Sequence, residues 1–209
     1  MDALLQKLII QLQGTLPGED AQYRMAPLHR QRTVISDLTE DQYKPSAVMI
    51  VFCLDSDGEF YIPLIERFSY EGAHSAQVSL PGGKKDAGDV NLMDTARREC
   101  YEEIGIGPSI TVAGQLTKVF IDVSGFLIEP YVGVCVDKDP VLLPNAREVK
   151  SILKLRVRDL LDGSLLKTGT ITVREQLLQT PFFLVENRQV WGATAMILAE
   201  LREVIRPIF

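Results

Sequence analysis

The sequence predicts an α/β fold, an α/β/α sandwich around a mixed β-sheet. Three observations predict it: short β-rich runs punctuated by turn residues, a strongly periodic helical segment set among them, and further helical segments at both ends. In order, Leu4, Leu5, Leu8, Ile9 and Leu12 recur at helical spacing and Gly14 follows, so residues 2–13 read as an amphipathic helix that packs on the main domain or on a second subunit. Residues 22–44 are polar and weakly periodic, a connecting segment with room for one more helix. From Pro45 the texture turns strand-like. Residues 46–54 form a buried-type strand, Asp55-Ser56-Asp57-Gly58 a turn, and residues 59–66 the returning arm of a hairpin. Residues 67–78 make a long polar loop of the kind that carries function or disorder. A helix over 92–104, strands over 115–123, 126–136 and 150–157, and a helix over 190–205 complete the order. The division expected is an N-terminal helical extension at 1–44 and a main domain at 45–209.

The 209 residues suffice to bury a sizeable core, and 46% hydrophobic with 24% charged residues is ordinary globular composition. A net charge of −6 argues against broad binding to nucleic acid or to an anionic membrane, so an enzyme of this charge acting on anions needs a local cation. The longest apolar run, 47–54, is far too short to span a bilayer. Cys53, Cys100 and Cys135 lack metal-type spacing and suggest neither a disulfide framework nor zinc, which leads to the expectation of a reducing, cytoplasmic compartment. Cys100 reads as a small core residue rather than a nucleophile.

The chemistry is concentrated in Arg98-Glu99-Cys100-Tyr101-Glu102-Glu103-Ile104-Gly105-Ile106, one helix length after Pro81-Gly82-Gly83. At ~100° per residue, Glu99, Glu102 and Glu103 share one arc of a helix, where like charges repel unless something positive joins them. A glutamate-rich helix is commonly just a solvated face, and Arg98 can pair with Glu102 one turn on. The flanks shift the balance toward a metal: Gly82-Gly83 permits close approach of backbone to a ligand, and Gly105 fits a left-handed helix stop. Hard cations such as magnesium take oxygen ligands and are completed by phosphate oxygens, so the pattern points to phosphate chemistry.

These residues resemble the Nudix hydrolase signature: Arg98, Glu99, Glu102, Glu103, Gly105 and Ile106 match Arg-Glu-x-x-Glu-Glu-x-Gly-aliphatic in order. One residue more than the usual spacing separates Gly83 from Arg98, and Asp89 is the nearest acid to a position usually held by glutamate. That expansion resembles the coenzyme A pyrophosphatase branch, as do residues 124–130 (Ser-Gly-Phe-Leu-Ile-Glu-Pro), 144–149 (Pro-Asn-Ala-Arg-Glu-Val) and 191–194 (Trp-Gly-Ala-Thr). The branch's upstream motif is kept at Leu64, Arg67, Pro81, Gly82 and Gly83 and departs at Phe68, Gly72, Ala76 and Leu80.

The resemblance implies a Nudix-type α/β/α sandwich that hydrolyses a nucleoside diphosphate linked to another group, with Mg2+ or Mn2+ as cofactor. Coenzyme A or a derivative, cleaved to 4'-phosphopantetheine and adenosine 3',5'-bisphosphate, is the expected substrate. ADP-ribose or another nucleotide, or a catalytically silent nucleotide sensor, are the alternatives. Glu99 and Glu103 are expected as primary metal ligands, being one turn apart, with Glu102 and the Gly83 carbonyl completing the site. Glu102 and Glu148 are the two general-base candidates, the second resembling an acid that several Nudix enzymes bring from outside the helix. Arg98 is expected to orient a glutamate. Arg67 and Lys84 are expected to contact phosphate, and His74 fits a histidine often found in this loop. No nucleic-acid or membrane partner is expected, and a homodimer is.

Overall fold

The computed structural model describes residues 1–28, 30–68, 77–173 and 176–209. Its central sheet is mixed. Strand β1 (Lys44–Leu54) pairs antiparallel with β2 (Phe60–Arg67) through the turn at Asp55–Gly58, whose Asp55 carboxylate accepts from the Asp57 and Glu59 amides. Short strands β3 (Val78–Ser79) and β4 (Gly82–Lys84) lie against β2 and β1. Helix α3 (Leu92–Ile104) follows after α1 (Asp2–Gln13) and α2 (Gly18–Gln22), and then come β5 (Ile110–Gln115), β6 (Val119–Ile121) and β7 (Phe126–Lys138). Strand β7 runs parallel to β1 and carries β5 and β6 antiparallel. Beyond β8 (Val149–Arg156), which pairs with β2, lie helix α4 (Val157–Asp162), the sheet of β9 (Leu166–Val173), β10 (Gln176–Val185) and β11 (Arg188–Val190), and helix α5 (Gly192–Ile205).

Two apolar layers sandwich the main sheet. Met49, Val51, Tyr61 and Ile65 face Ala96, Cys100 and Ile104 of α3. Ile50, Phe52, Ile62 and Leu64, of opposite pleat, face Ala195, Leu198 and Leu201 of α5. The three cysteines are free and buried in the α3 layer. No helix among the described residues is long and apolar enough to cross a membrane.

Several sequence expectations need correction. The strand expected at 115–123 is two: β5 ends at Gln115, and β6 covers Val119–Ile121 only. The helix expected within 22–44 lies earlier, at α2, and three short 3-10 turns occupy the rest. Helix α4 and the β9–β10 hairpin had no counterpart in the pattern reading, because Leu166-Lys167-Thr168-Gly169-Thr170 is too polar and too glycine-broken to stand out. Helix α1 takes the first of its two expected places, on the main domain: Leu4 and Leu8 are buried in the α5 layer and the helix lies on β5 and α5.

The N-terminal segment is tied down by a residue that periodicity hides. Glu200, on α5 and fully buried, accepts hydrogen bonds from the Gly18 amide (3.2 Å), the Gln22 amide side chain (2.7 Å), and the Thr117 amide (3.3 Å) and hydroxyl (2.7 Å). Glu200→Ala removes this acceptor from the Gly18 and Thr117 donors, leaves the Gln22 amide only the Thr117 carbonyl, and costs about 3 kcal/mol, since each buried unsatisfied group costs about 1–3 kcal/mol and part is recovered by water. Urea denaturation reads the loss, and hydrogen exchange localises it to residues 1–26.

Candidate functional site

Helix α3 is built to present its acids. Asn91 caps it by accepting from the Asp94 amide, and Gly105, at φ +84°, ends it in the left-handed conformation that glycine adopts without steric cost. Ala96, Cys100, Glu103 and Ile104 face the sheet, so Glu103 is drawn into the core and is fully buried. Its Oε2 accepts from the Gly82 amide at 2.8 Å, and its Oε1 lies 2.6 Å from a guanidinium nitrogen of Arg67 in a geometry too bent for a hydrogen bond. The same Arg67 nitrogen donates to the Gly82 carbonyl at 3.0 Å. Burial, more than Arg67 and the Gly82 amide can offset, pushes the Glu103 carboxyl up to about 7.

Glu99 lies one turn earlier against β4. A Cβ on Gly83 would fall on the Glu99 carboxylate, so only glycine lets this acid reach the strand. Burial raises the Glu99 carboxyl as well, against the Arg98 guanidinium beside it. Glu102 is about half exposed. Arg98 holds both: one of its nitrogens is 2.9 Å from Glu99 and 3.1 Å from Glu102. Its other face grips Asp89 with two bonds of 2.9 and 3.0 Å, and it donates to the Lys84 carbonyl at 3.1 Å. Asp89 also accepts from the Thr95 hydroxyl and the Asp86 amide, and with Arg98 as the main cause its carboxyl is held well below the usual carboxylate range. Asp89 thus anchors Arg98, which sequence spacing alone did not reveal.

The predicted residues are therefore unequally placed. Glu99, Glu102, Glu103, Arg98, Arg67 and Gly83 come together around β4 and α3. Lys84 joins through its backbone. Glu148 is exposed, but its loop is fixed to the helix end: the Leu143 and Asn145 amides donate to the Ile104 and Glu103 carbonyls, and the adjoining Val149 registers with Arg67. His74 and most of the 67–78 loop lie outside the described residues. Among the described residues no three acids, cysteines or histidines converge on a common point, and Glu99 and Glu103 are instead paired with Arg98 and Arg67. The donor set nonetheless fits a hard divalent cation: all its groups are oxygens, burial raises two of its carboxyls so that a cation would favour the charged form the site itself disfavours, and the glycine gap keeps backbone within reach.

Two further features were missed. In-register pairing aligns Gly83, Ala47 and Glu129 across β4, β1 and β7, and Glu129 is held by Lys118 (2.6 Å) and the Tyr131 hydroxyl (2.8 Å). Next to the diglycine opens a cleft of about 730 Å³. Arg67, Gly83 and Lys84 line one side, and Phe126, Ile128, Leu177 and Trp191 supply much of its apolar wall. That volume suits a small-molecule ligand. The residue pattern gave no signal for Leu177, which reaches the cleft from the unexpected hairpin.

Comparison with known proteins bears on the same region. A family model described as the NUDIX domain matches residues 43–160, more than half of the chain. The chain belongs to the Nudix family. Nudix hydrolase 15, mitochondrial, from Arabidopsis thaliana is 34% identical over 115 residues, 54% of this chain and 40% of that protein. Nudix hydrolase 22, chloroplastic, from the same plant is 28% identical over 173 residues, 78% of this chain and 57% of that protein. A protein of Yersinia pestis (strain Pestoides F), Uncharacterized Nudix hydrolase NudL, is 30% identical over 145 residues, 68% of this chain and 71% of that one. The chain thus spans about half the length of the two plant relatives. Among solved structures, the Nudix hydrolase RenU of M. smegmatis superposes with a TM-score of 0.52 at 16% identity, over 88% of this chain and 95% of that one, a likeness of fold.

Proposed function

We propose that this Nudix protein is a metal-dependent pyrophosphohydrolase that cleaves the diphosphate of coenzyme A or a derivative, yielding 4'-phosphopantetheine and adenosine 3',5'-bisphosphate. The observation that supports the substrate is convergence. Of the three stretches that resemble the coenzyme A branch, residues 124–130 and 191–194 line the cleft beside the diglycine, and 144–149 is fixed to the end of the glutamate helix. Two of these stretches, far apart in sequence, thereby meet around one volume.

In this reading Glu99, Glu103, Glu102 and the Gly83 carbonyl hold Mg2+ or Mn2+, which when bound would neutralise the diphosphate and acidify a coordinated water. The protein's own residues do the positioning. Asp89 fixes Arg98, and Arg98 sets the directions of Glu99 and Glu102. Glu102, half exposed though paired with Arg98, and Glu148, on the anchored loop, are the candidates to take a proton from the attacking water. Lys84 and Arg67 line the cleft and would contact the phosphates, Lys84 as a mobile point charge and Arg67 through its guanidinium.

The test is magnesium-dependent turnover of a panel of coenzyme A, ADP-ribose, dinucleoside polyphosphates and oxidised nucleoside triphosphates. Coenzyme A is expected to be cleaved fastest. Turnover of the others without coenzyme A would reject the substrate and leave the chemistry.

A further inference from the structure

Glu66, on β2, takes no part in the proposed chemistry and is nonetheless a buried acid. It is 5% exposed, and it accepts from the Lys150 ammonium at 2.8 Å, the Ser151 hydroxyl at 2.8 Å and the Arg188 guanidinium at 3.2 Å. Burial alone would raise its carboxyl, and these donors more than offset that, so it is held below its ordinary value.

Two of the donors reach it only because β8 is irregular. Lys150 and Ser151 are consecutive, and neighbours on a regular strand point to opposite faces of the sheet. Here Glu66 pairs with Ser151 while Arg67 pairs with Val149, so Lys150 is the extra residue of a β-bulge and can turn to the same carboxylate as Ser151. The bulge decides what lies beside the site. A continuous register would set Lys150 opposite Arg67 and turn Val149 to the other face; instead Val149 is opposite Arg67 and buried in the α3 layer. On that face Arg67 meets Glu103 at 2.6 Å and the Gly82 carbonyl at 3.0 Å. The loop before Val149 is tied to the same helix, since the Asn145 amide donates to the Glu103 carbonyl and the Val149 amide to the Asn145 carbonyl. Arg188, the third donor, belongs to β11, which leads into Trp191 at the cleft.

We propose that Glu66 is a positioning residue of this site: by bonding both residues of the β8 bulge it holds the register that keeps Arg67 against Glu103 and at the cleft. The inference rests on the hydrolase reading above for what Arg67 does there. Glu66 acts from the opposite face of the sheet and through its chain neighbour. Without the acid nothing draws Lys150 and Ser151 to one point, and β8 is released to pair regularly, which displaces Val149 and the residue facing it.

Two measurements on the full chain test this. The first is the Arg67 side-chain N–H resonance in 15N spectra recorded in EDTA, identified by its loss in Arg67→Lys, at a temperature where melts show every variant folded. A guanidinium held as in the wild type exchanges slowly with water. That protection is expected to be lost in Glu66→Ala and reduced in Glu66→Gln, which keeps the shape and one acceptor oxygen and carries the test if the alanine variant does not fold. Protection unmoved in every folded Glu66 variant overturns the proposal. The second is a double-mutant cycle in magnesium with the best substrate of the panel. Glu66→Ala, or Glu66→Gln in its place, is expected to lower kcat/KM about tenfold or more, the scale on which a small misplacement at a reacting centre acts. Added to Arg67→Gln, it lowers kcat/KM no further, because the two residues work as a unit. Losses that multiply would make Glu66 merely structural and overturn the proposal. A wild type that turns over no diphosphate would overturn the hydrolase reading instead, and the Arg67 resonance alone would then decide whether Glu66 places it.

Discussion

Glu103→Gln is expected to remove most turnover, a factor on the order of 10² to 10³ in kcat, while the protein stays folded. The magnitude follows from the several kcal/mol of charge stabilisation that a misheld metal forfeits, at about 1.4 kcal/mol per decade. Stability moves little because two effects oppose. The glutamine removes a buried charge that burial already disfavours, and it meets either Arg67 or the Gly82 amide with a second donor, each effect being about 1–3 kcal/mol. The pH dependence separates them. The Glu103 carboxyl sits near 7 in the folded protein and at its ordinary value near 4.5 when unfolded, so between these values the native state binds more protons. Without metal, stability therefore falls as pH rises from about 4.5 to 7 and levels off above. The loss is on the order of 3 kcal/mol. Glu99, also raised, adds in the same sense, whereas Asp89, depressed, contributes stability that is constant across this window and is lost only in stronger acid. Thermal melts against pH in EDTA should show most of the slope in the wild type and little of it in Glu103→Gln; an unchanged slope would place the buried proton elsewhere.

Gly83→Ala is the second large effect, and it contrasts with its neighbour. The added methyl at 83 meets the mobile end of the Glu99 side chain, which can swing away, so the fold survives at a cost of about 1 kcal/mol while the acid leaves its place. Activity is expected to drop by roughly 10²-fold, because an error of about 1 Å at a reacting group costs that much. At Gly82 the methyl would meet backbone instead, 2.6 Å from the Val48 Cα, with nothing free to move. Gly82→Ala therefore acts on folding, by about 3 kcal/mol or more. Melting temperature and kcat measured on both variants check the contrast; a Gly83→Ala enzyme at full rate would remove Glu99 from the working site.

The glutamate helix was legible because its signal is local: a cap, a 3.6-residue rhythm and a glycine stop all lie within the run from Asn91 to Gly105. The β1–β2 hairpin was legible for the same reason, its turn being written in four consecutive residues. What stayed hidden depends on contacts between distant segments. Asp89 looked like a misplaced acid until folding brought it onto Arg98. Glu200 looked like one more charge on a helix, and its partners come from residues 18–22 and 117. The pairing of Glu103 with Arg67 was also beyond the pattern, since Arg67 arrives from a distant strand. Leu177 and Arg30 give no signal in a chain read locally, and they become cleft residues only when the hairpin and the N-terminal segment close over β1 and β7.

We propose that these carboxylates bind a divalent cation in place of the arginines that pair with them here. Manganese titration followed by electron paramagnetic resonance tests it most directly, on the wild type and on Glu103→Gln. The account predicts saturable uptake by the wild type at millimolar ion or below, and loss of that uptake in the variant. A wild-type protein that leaves all manganese free at millimolar concentration, its arginine pairs intact, would contradict it.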